Sequence, residues 1–242
     1  MSRAGLSTWR RPAVLAALAL LAGATAPTAS AQVPPDAATV TAYARQPALR
    51  LHDAARRGDL AALDALLAGP DAAALLQARD GHGRSALHVA AHASQRGAIE
   101  RLVRAGIAID ALEHDRYDAV TIAAVADDEA TLRTLLALGA SARQVTSRYD
   151  GTALIAAAHL GHDGVVRQLI AARAPLDHVN NLHWTALIEA VVLGDGGARH
   201  QATVRALLDA GARRDLTDRE GRTPLQLARQ RGYREIEAML VR

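Results

Sequence analysis

The chain has 242 residues, half of them hydrophobic, with no Cys, no Phe and a formal charge of +3. Lacking Cys, it can form no disulfide, thiol nucleophile or Cys-ligated zinc site, and because all 28 basic residues are Arg it has no lysine for a phosphate loop or a Schiff base. Much of the hydrophobic share is Ala, which excludes a core of large aromatics and favours helices packed closely through small side chains.

Residues 1–31 read as a secretory signal peptide. A basic start ends at Arg10-Arg11, an apolar run extends from Ala13 to about Gly23, and Ala29-Ser30-Ala31 fits the small-x-small cleavage pattern, so cleavage is expected before Gln32. The run is too short for a membrane anchor and is followed by Thr, Pro and Ser. Losing Arg3, Arg10 and Arg11 with the leader leaves 25 Arg against 25 acids, a balance that points away from nucleic acid. Export is therefore expected, to the periplasm or beyond, with no stable membrane span after cleavage. Residues 32–46 contain Pro34-Pro35 and no clear period, and read as a flexible lead-in with room for a short helix near Val40 to Ala44.

A two-helix plan begins near Ala48 and repeats to the end of the chain. Its clearest copy is 80–112: a turn cluster at Asp80-Gly81-His82-Gly83, a helix cap at Ser85, apolar positions at Leu87, Ala90 and Ala91, then Ile99, Leu102 and Val103 on a second helix that stops at Gly106. The anchor of the first helix recurs at Leu51, Leu87, Val120, Leu154, Leu187 and Leu225, and three residues after each comes Ala: Ala54, Ala90, Ala123, Ala157, Ala190 and Ala228. Caps are expected at Ser85, Asp118, Thr152, Thr185 and Thr223, with Pro224 at the first helical position, where its missing N–H costs nothing. Second helices end in paired aliphatics, from Leu66-Leu67 to Leu240-Val241. No single copy can bury its apolar stripe, so copies must stack.

Gly83-Arg84-Ser85-Ala86-Leu87-His88-Val89-Ala90-Ala91 and Gly221-Arg222-Thr223-Pro224-Leu225-Gln226-Leu227-Ala228 resemble the ankyrin signature, and Leu207-Leu208-Asp209-Ala210-Gly211-Ala212 resembles the end of its second helix. The resemblance spans residues 47–242, in repeats of approximately 47–79, 80–112, 113–146, 147–179, 180–217 and 218–242. It implies an all-α solenoid of about six helix-turn-helix repeats with β-hairpin fingers and a concave face.

The departures from the motif carry expectations of their own. Repeat one lacks a finger and turns Arg56-Arg57 outward as an N-terminal cap, leaving a short exit from Gly69-Pro70 to Arg79. Repeat three has Asp118 and Thr121 where the motif has Thr and His. About five extra residues around Gly194 to Ala198 should bulge between the helices of repeat five. Arg229 replaces a packing Ala in repeat six, as a polar C-terminal cap would.

Catalytic signatures are wanting. Gly83-Arg84-Ser85-Ala86-Leu87 falls one residue short of a nucleophile elbow, and its Ser suits a helix cap better. His88 and His92 lie four apart on one helix, the spacing of some zinc sites, but His52 and His88 also occupy the motif's His position, which the resemblance assigns to hydrogen-bonding neighbouring backbone. No metal and no cofactor are expected, with His88 and His92 the only weak candidates. By resemblance, two residues at each finger tip and the one before each cap face the concave side. Among them are Arg84, Tyr117, Arg148, Tyr149, Trp184 and Arg222, and the ends of the first helices add His92 and His159. Three of the five aromatics outside the leader fall on consecutive fingers. Trp, Tyr and Arg dominate binding hot spots, although such rings can instead pack finger against finger. The expectation is a monomeric, non-enzymatic module that acts outside the cytoplasm and binds a protein partner through its fingers. The alternative is a metal or small-ligand carrier built on concave-face histidines.

Overall fold

A computed structural model describes residues 46–241. The leader expected over residues 1–31, and all but the last residue of the lead-in, lie outside the described residues. Repeat one comprises α1 (Pro47–Arg57), α2 (Leu60–Leu67) and α3 (Ala72–Gln77). Five helix pairs follow: α4 (Ala86–His92) with α5 (Arg96–Arg104), α6 (Ala119–Val125) with α7 (Glu129–Ala137), and α8 (Ala153–Leu160) with α9 (Asp163–Ala171). Then come α10 (Ala186–Val192) with α11 (Ala198–Asp209), and α12 (Pro224–Arg231) with α13 (Arg234–Val241). The first helices α1, α4, α6, α8, α10 and α12 pack against one another in that order, and the second helices α2, α5, α7, α9, α11 and α13 do the same behind them.

The anchor register explains this order. Leu51, Leu87, Val120, Leu154 and Leu187 are fully buried, as are the five Ala residues that follow them and Ala228 after the sixth anchor, since only a methyl group lets neighbouring first helices approach. The sixth anchor, Leu225, is only partly buried, because no described repeat lies beyond it. Arg229 stands exposed and ion-paired to Glu237 at 2.7 Å, where Ala91, Ala124, Ala158 and Val191 are buried in the repeats before it. At the other end Arg56 and Arg57 are exposed and both pair with Asp53.

All five expected caps are N-caps. The side chains of Asp118, Thr152, Thr185 and Thr223 each accept from the backbone N–H three residues on, and Ser85 forms a capping box with His88. Asp118 has little water around it. Burial pushes its carboxyl above the ordinary range of 3.8, against the lowering effect of its bonds to Thr121. A carboxyl raised in the folded state favours folding at acid pH and loses that contribution as pH climbs through its folded value. Replacing Asp118 by Thr, the residue at the matching place in repeats four to six, is therefore expected to help more at neutral pH than at pH 3. Urea melts of both proteins across that range check this; a pH-independent difference would contradict it.

Three local features differ from expectation. The exit from repeat one is not a loop: Leu75 and Leu76 are buried, so an apolar pair draws Ala72–Gln77 into a short helix against α1 and α2. The fingers contain no strands among the described residues. Each is a tight turn in which one N–H reaches the carbonyl four residues on (Asp80 to Arg84, Glu113 to Tyr117, Asn180 to Trp184, Asp218 to Arg222), too few residues for a ladder. Only the finger of repeat four, one residue longer, forms an isolated antiparallel bridge, Thr146 to Gly151. Finally, the extra residues of repeat five do not all bulge. Some lengthen its second helix to 12 residues, against nine in repeats two to four, and Gly194–Gly197 form the connecting turn. Asp195 caps that turn by accepting from Gly197 N–H at 2.8 Å, and its Oδ1 lies 2.8 Å from His200 Nδ1. Tyr233 of repeat six donates its hydroxyl to Gly194 O, and its ring lies against Gly196.

Candidate functional site

The fingers of repeats two, three, five and six are each closed by their own first side chain, and in repeat four Ser147 Oγ accepts from Tyr149 N–H instead. Asp80 accepts from the N–H groups of His82 and Arg84, Glu113 from Tyr117, Asn180 from Leu182 and Trp184, and Asp218 from Glu220 and Arg222. The turn requires one left-handed residue. Gly83 and Gly221 supply it at φ +75°, while Arg116 and His183 hold the same place at φ +66° and +64°.

The fingers are then stitched in series. His114 N–H donates to His82 O, Ser147 N–H to Arg116 O, and Asn181 N–H to Tyr149 O, all at 2.9–3.0 Å. Asn181 also donates its amide to Arg148 O, and Arg219 donates to Asn181 O. Reciprocal ion pairs bind the third finger to the fourth, Arg116 to Asp150 at 2.7 Å and Arg148 to Asp115 at 2.6 Å. The result is one continuous edge from repeat two to repeat six.

The expected site residues divide into three groups. Arg84, Arg148 and Arg222 sit on the edge with their charges already matched, to Asp80, to Asp115, and to Asp218 with Glu220. Hydrogen bonding and attraction from Asp115 raise the Arg148 pKa further, so the group is a fixed cation. Tyr117 and Trp184 are half-buried and pack on the core at the finger bases, so each braces its finger and shows one side to solvent. Burial, and then the acids Asp115 and Glu113, raise the Tyr117 phenol above its ordinary range, keeping it a neutral hydroxyl. Tyr149, at the fourth tip, is likewise part-buried.

The histidines part company. His88 is buried with both ring nitrogens engaged: Nδ1 accepts from Ser85 N–H at 3.2 Å and Nε2 donates to Tyr117 O at 3.2 Å, a link from one repeat to the next. Desolvation lowers its pKa and holds the ring neutral. In repeat one, His52 Nε2 makes the same link to Arg84 O, and in repeat three the Thr121 hydroxyl bonds Thr146 Oγ1 instead, which is how that repeat manages without the motif's His. His92 is exposed at the end of α4, and among the described residues no three His, Asp or Glu side chains converge to hold a metal.

His159, at the end of α8, has a partner that motif reading overlooks. Its Nδ1 lies 3.3 Å from Oε2 of Glu189, a carboxylate only 4% exposed in the middle of α10, whose Oε1 accepts from Asn180 Nδ2 at 3.0 Å. Oε2 has no hydrogen-bond donor. An acid inside Ala-Leu-Ile-Glu-Ala-Val-Val was the available signal. That position lies outside the letters that define the motif.

A family profile described as ankyrin repeats, in three copies, matches residues 51–145, 121–197 and 154–242. The chain is an ankyrin-repeat protein. It is 36% identical over 190 residues to the putative ankyrin repeat protein YahD of Escherichia coli K12, covering 78% of this chain and 92% of that one. An ankyrin repeat domain from Acinetobacter baumannii AYE, solved by crystallography, is 43% identical and superposes with a TM-score of 0.74, covering 81% of this chain and 97% of that one. The ankyrin repeat protein EF0377 gives 29% identity and a TM-score of 0.72 over 80% of this chain and 96% of its own. A chain from the complex of the Bdellovibrio bacteriovorus endopeptidase Bd0816 with immunity protein Bd3460 shares the fold at 21% identity and a TM-score of 0.64, over 79% and 96%. Ankyrin repeats are interaction modules, and none of the described helices is long and apolar enough to cross a membrane.

Proposed function

We propose that this ankyrin-repeat chain is an exported, monomeric and non-enzymatic recognition module that grips a partner protein along its finger edge and concave face. The hydrogen-bonded stitching of successive fingers carries this reading. Tips already fixed to one another lose little freedom on association, so more of the contact energy appears as affinity. Tyr117, Tyr149 and Trp184 would be the anchors, with Arg84, Arg148, Arg222 and His92 around them, whereas His159 is turned inward to Glu189. Each Arg is held by a neighbouring acid, so the edge suits a mixed polar and apolar surface better than a polyanion. The carrier alternative is weakened because His88 is committed to the fold and His159 to Glu189.

Crosslinking in cells of the source organism, followed by capture of the protein, tests the reading. The Tyr117→Ala/Tyr149→Ala/Trp184→Ala variant is expected to weaken partner capture by about 2 kcal/mol or more, roughly 30-fold. Since two of these rings also brace fingers, a Tyr149→Ala variant with unchanged melting behaviour provides the control. Capture that is indifferent to both variants refutes the finger edge. Export is tested by cell fractionation and by N-terminal sequencing, which should begin at Gln32.

A further inference from the structure

His200 stands where the extra residues of repeat five meet its neighbours. The ring is buried in the first turn of α11, against Gly161 and Gly194, where any Cβ would collide with it. Both ring nitrogens meet oxygen: Nε2 lies 3.0 Å from the carbonyl of His159, at the end of α8, and Nδ1 lies 2.8 Å from Oδ1 of Asp195. Hydrogen bonds from Gly197 N–H and then from His200 hold the Asp195 carboxyl below the ordinary range, so it is a carboxylate wherever an imidazole titrates. A carbonyl and a carboxylate can only accept, and a neutral imidazole has one N–H to give. The two contacts are complete only when both ring nitrogens carry protons. A neutral ring would have to turn its Nδ1 lone pair to the Asp195 backbone N–H at 3.5 Å, with a carboxylate oxygen nearer at 2.8 Å.

We propose that His200 is a proton-operated switch that ties the last three repeats together when charged and loosens them when neutral. What it holds follows from the turn it grips. His200 fixes α8 of repeat four to the turn Gly194–Gly197 of repeat five, where Gln201 adds its amide to Gly196 O at 2.8 Å. Repeat six rests on that same turn, through the Tyr233 hydroxyl on Gly194 O and the Tyr233 ring on Gly196. The other charged and titratable groups nearby are spoken for. His159 of α8 lies against Glu189 of α10, and His162 donates to Ala124 O ahead of α9. Asp163 of α9 is held by Arg167 and Arg199, and Arg199 of α11 also takes Asp127. From repeat six, Arg231 donates to Val192 O and Glu237 pairs with Arg229, while Arg234 and Glu235 are exposed. Asp195 is thus the acid that answers to His200. The carbonyl end of α8 favours a cation and the start of α11 disfavours one, so the two helix ends oppose each other and Asp195 decides. The folded chain therefore holds this proton more tightly than the unfolded chain, and the stability it contributes is full below about pH 6.5 and fades as pH rises.

Nuclear magnetic resonance of the full chain with 15N-labelled histidine forms the first test. Both His200 ring nitrogens, assigned with His200→Gln, should still carry protons at pH 7.5, where a free imidazole is about one-tenth charged. In urea, the wild type should lose stability between pH 6 and 8.5 that Asp195→Asn does not lose, because Asn keeps the bond to Gly197 and carries no charge. Hydrogen exchange read by mass spectrometry should show α12 and α13 opening at least tenfold more readily at pH 8.5 than at pH 6, relative to α4 and α5, and His200→Gln should remove that change. A singly protonated ring at pH 7.5, a pH profile shared by the wild type and Asp195→Asn, or exchange of α12 and α13 that ignores pH would each overturn the switch. Should His200→Gln fail to fold, Asp195→Asn decides alone.

Discussion

Leu154→Ala is expected to cost about 2–5 kcal/mol of folding stability, several times the loss from Leu225→Ala, although both delete the same atoms from the same register. Leu154 is fully buried in α8, which packs against α6 on one side and α10 on the other, so truncation opens a cavity that two interfaces share. Leu225 lies on α12, with α10 beside it and no described repeat beyond, and already meets water. In a stack whose stability is a sum of repeats and their nearest-neighbour interfaces, a central lesion also severs the outer repeats from one another. Urea melts should show a large fall in midpoint for Leu154→Ala, with a broadened or two-step transition, and a shift of about 1 kcal/mol for Leu225→Ala. Equal costs at the two positions would mean that the energetics are those of a single core.

The second large effect concerns the His159–Glu189 contact inside the stack. His159→Ala is expected to destabilise by about 2–3 kcal/mol, because it removes the imidazole that lies 3.3 Å from the donor-less Oε2 of the buried Glu189. That figure falls below the range for breaking a fully buried pair, since the imidazole keeps a 12% exposed edge. Replacing both members, His159→Ala with Glu189→Leu, should recover most of the loss, because it removes the stranded charge as well as its partner. A double-mutant cycle read by chemical denaturation separates the two contributions. If His159→Ala costs less than the His-to-Ala change at exposed His92, the pair does not hold these repeats together.

Much of this architecture is written at short range. The anchor, the Ala three residues later and the capping residue are set by contacts within one repeat or with the next, so their spacing in the chain reproduces their spacing in the stack. What escaped depends on neighbours that a single repeat does not reveal. Ala72–Gln77 looks like a linker by length and becomes a helix because Leu75 and Leu76 find a surface on α1 and α2. Tyr117 and Trp184, each just before a cap, are expected to face the concave side, and both are half-buried against the core. Glu189 is hidden by the opposite fault, as an acid at a place where the motif is silent, whose meaning appears only when His159 of the preceding repeat lies against it.

The turn between α10 and α11 has one more consequence. Tyr233 reaches back from the last repeat to hold Gly194 by its hydroxyl and to cover Gly196, and Arg231 donates to the carbonyl of Val192 nearby. Terminal units of a linear stack are the first to fray, and fraying is where proteases gain entry. Here the outermost pair of helices is latched to the turn behind it, so this tail should yield to digestion only when the two units open together. Such a clasp would set how fast proteases gain entry to the whole molecule.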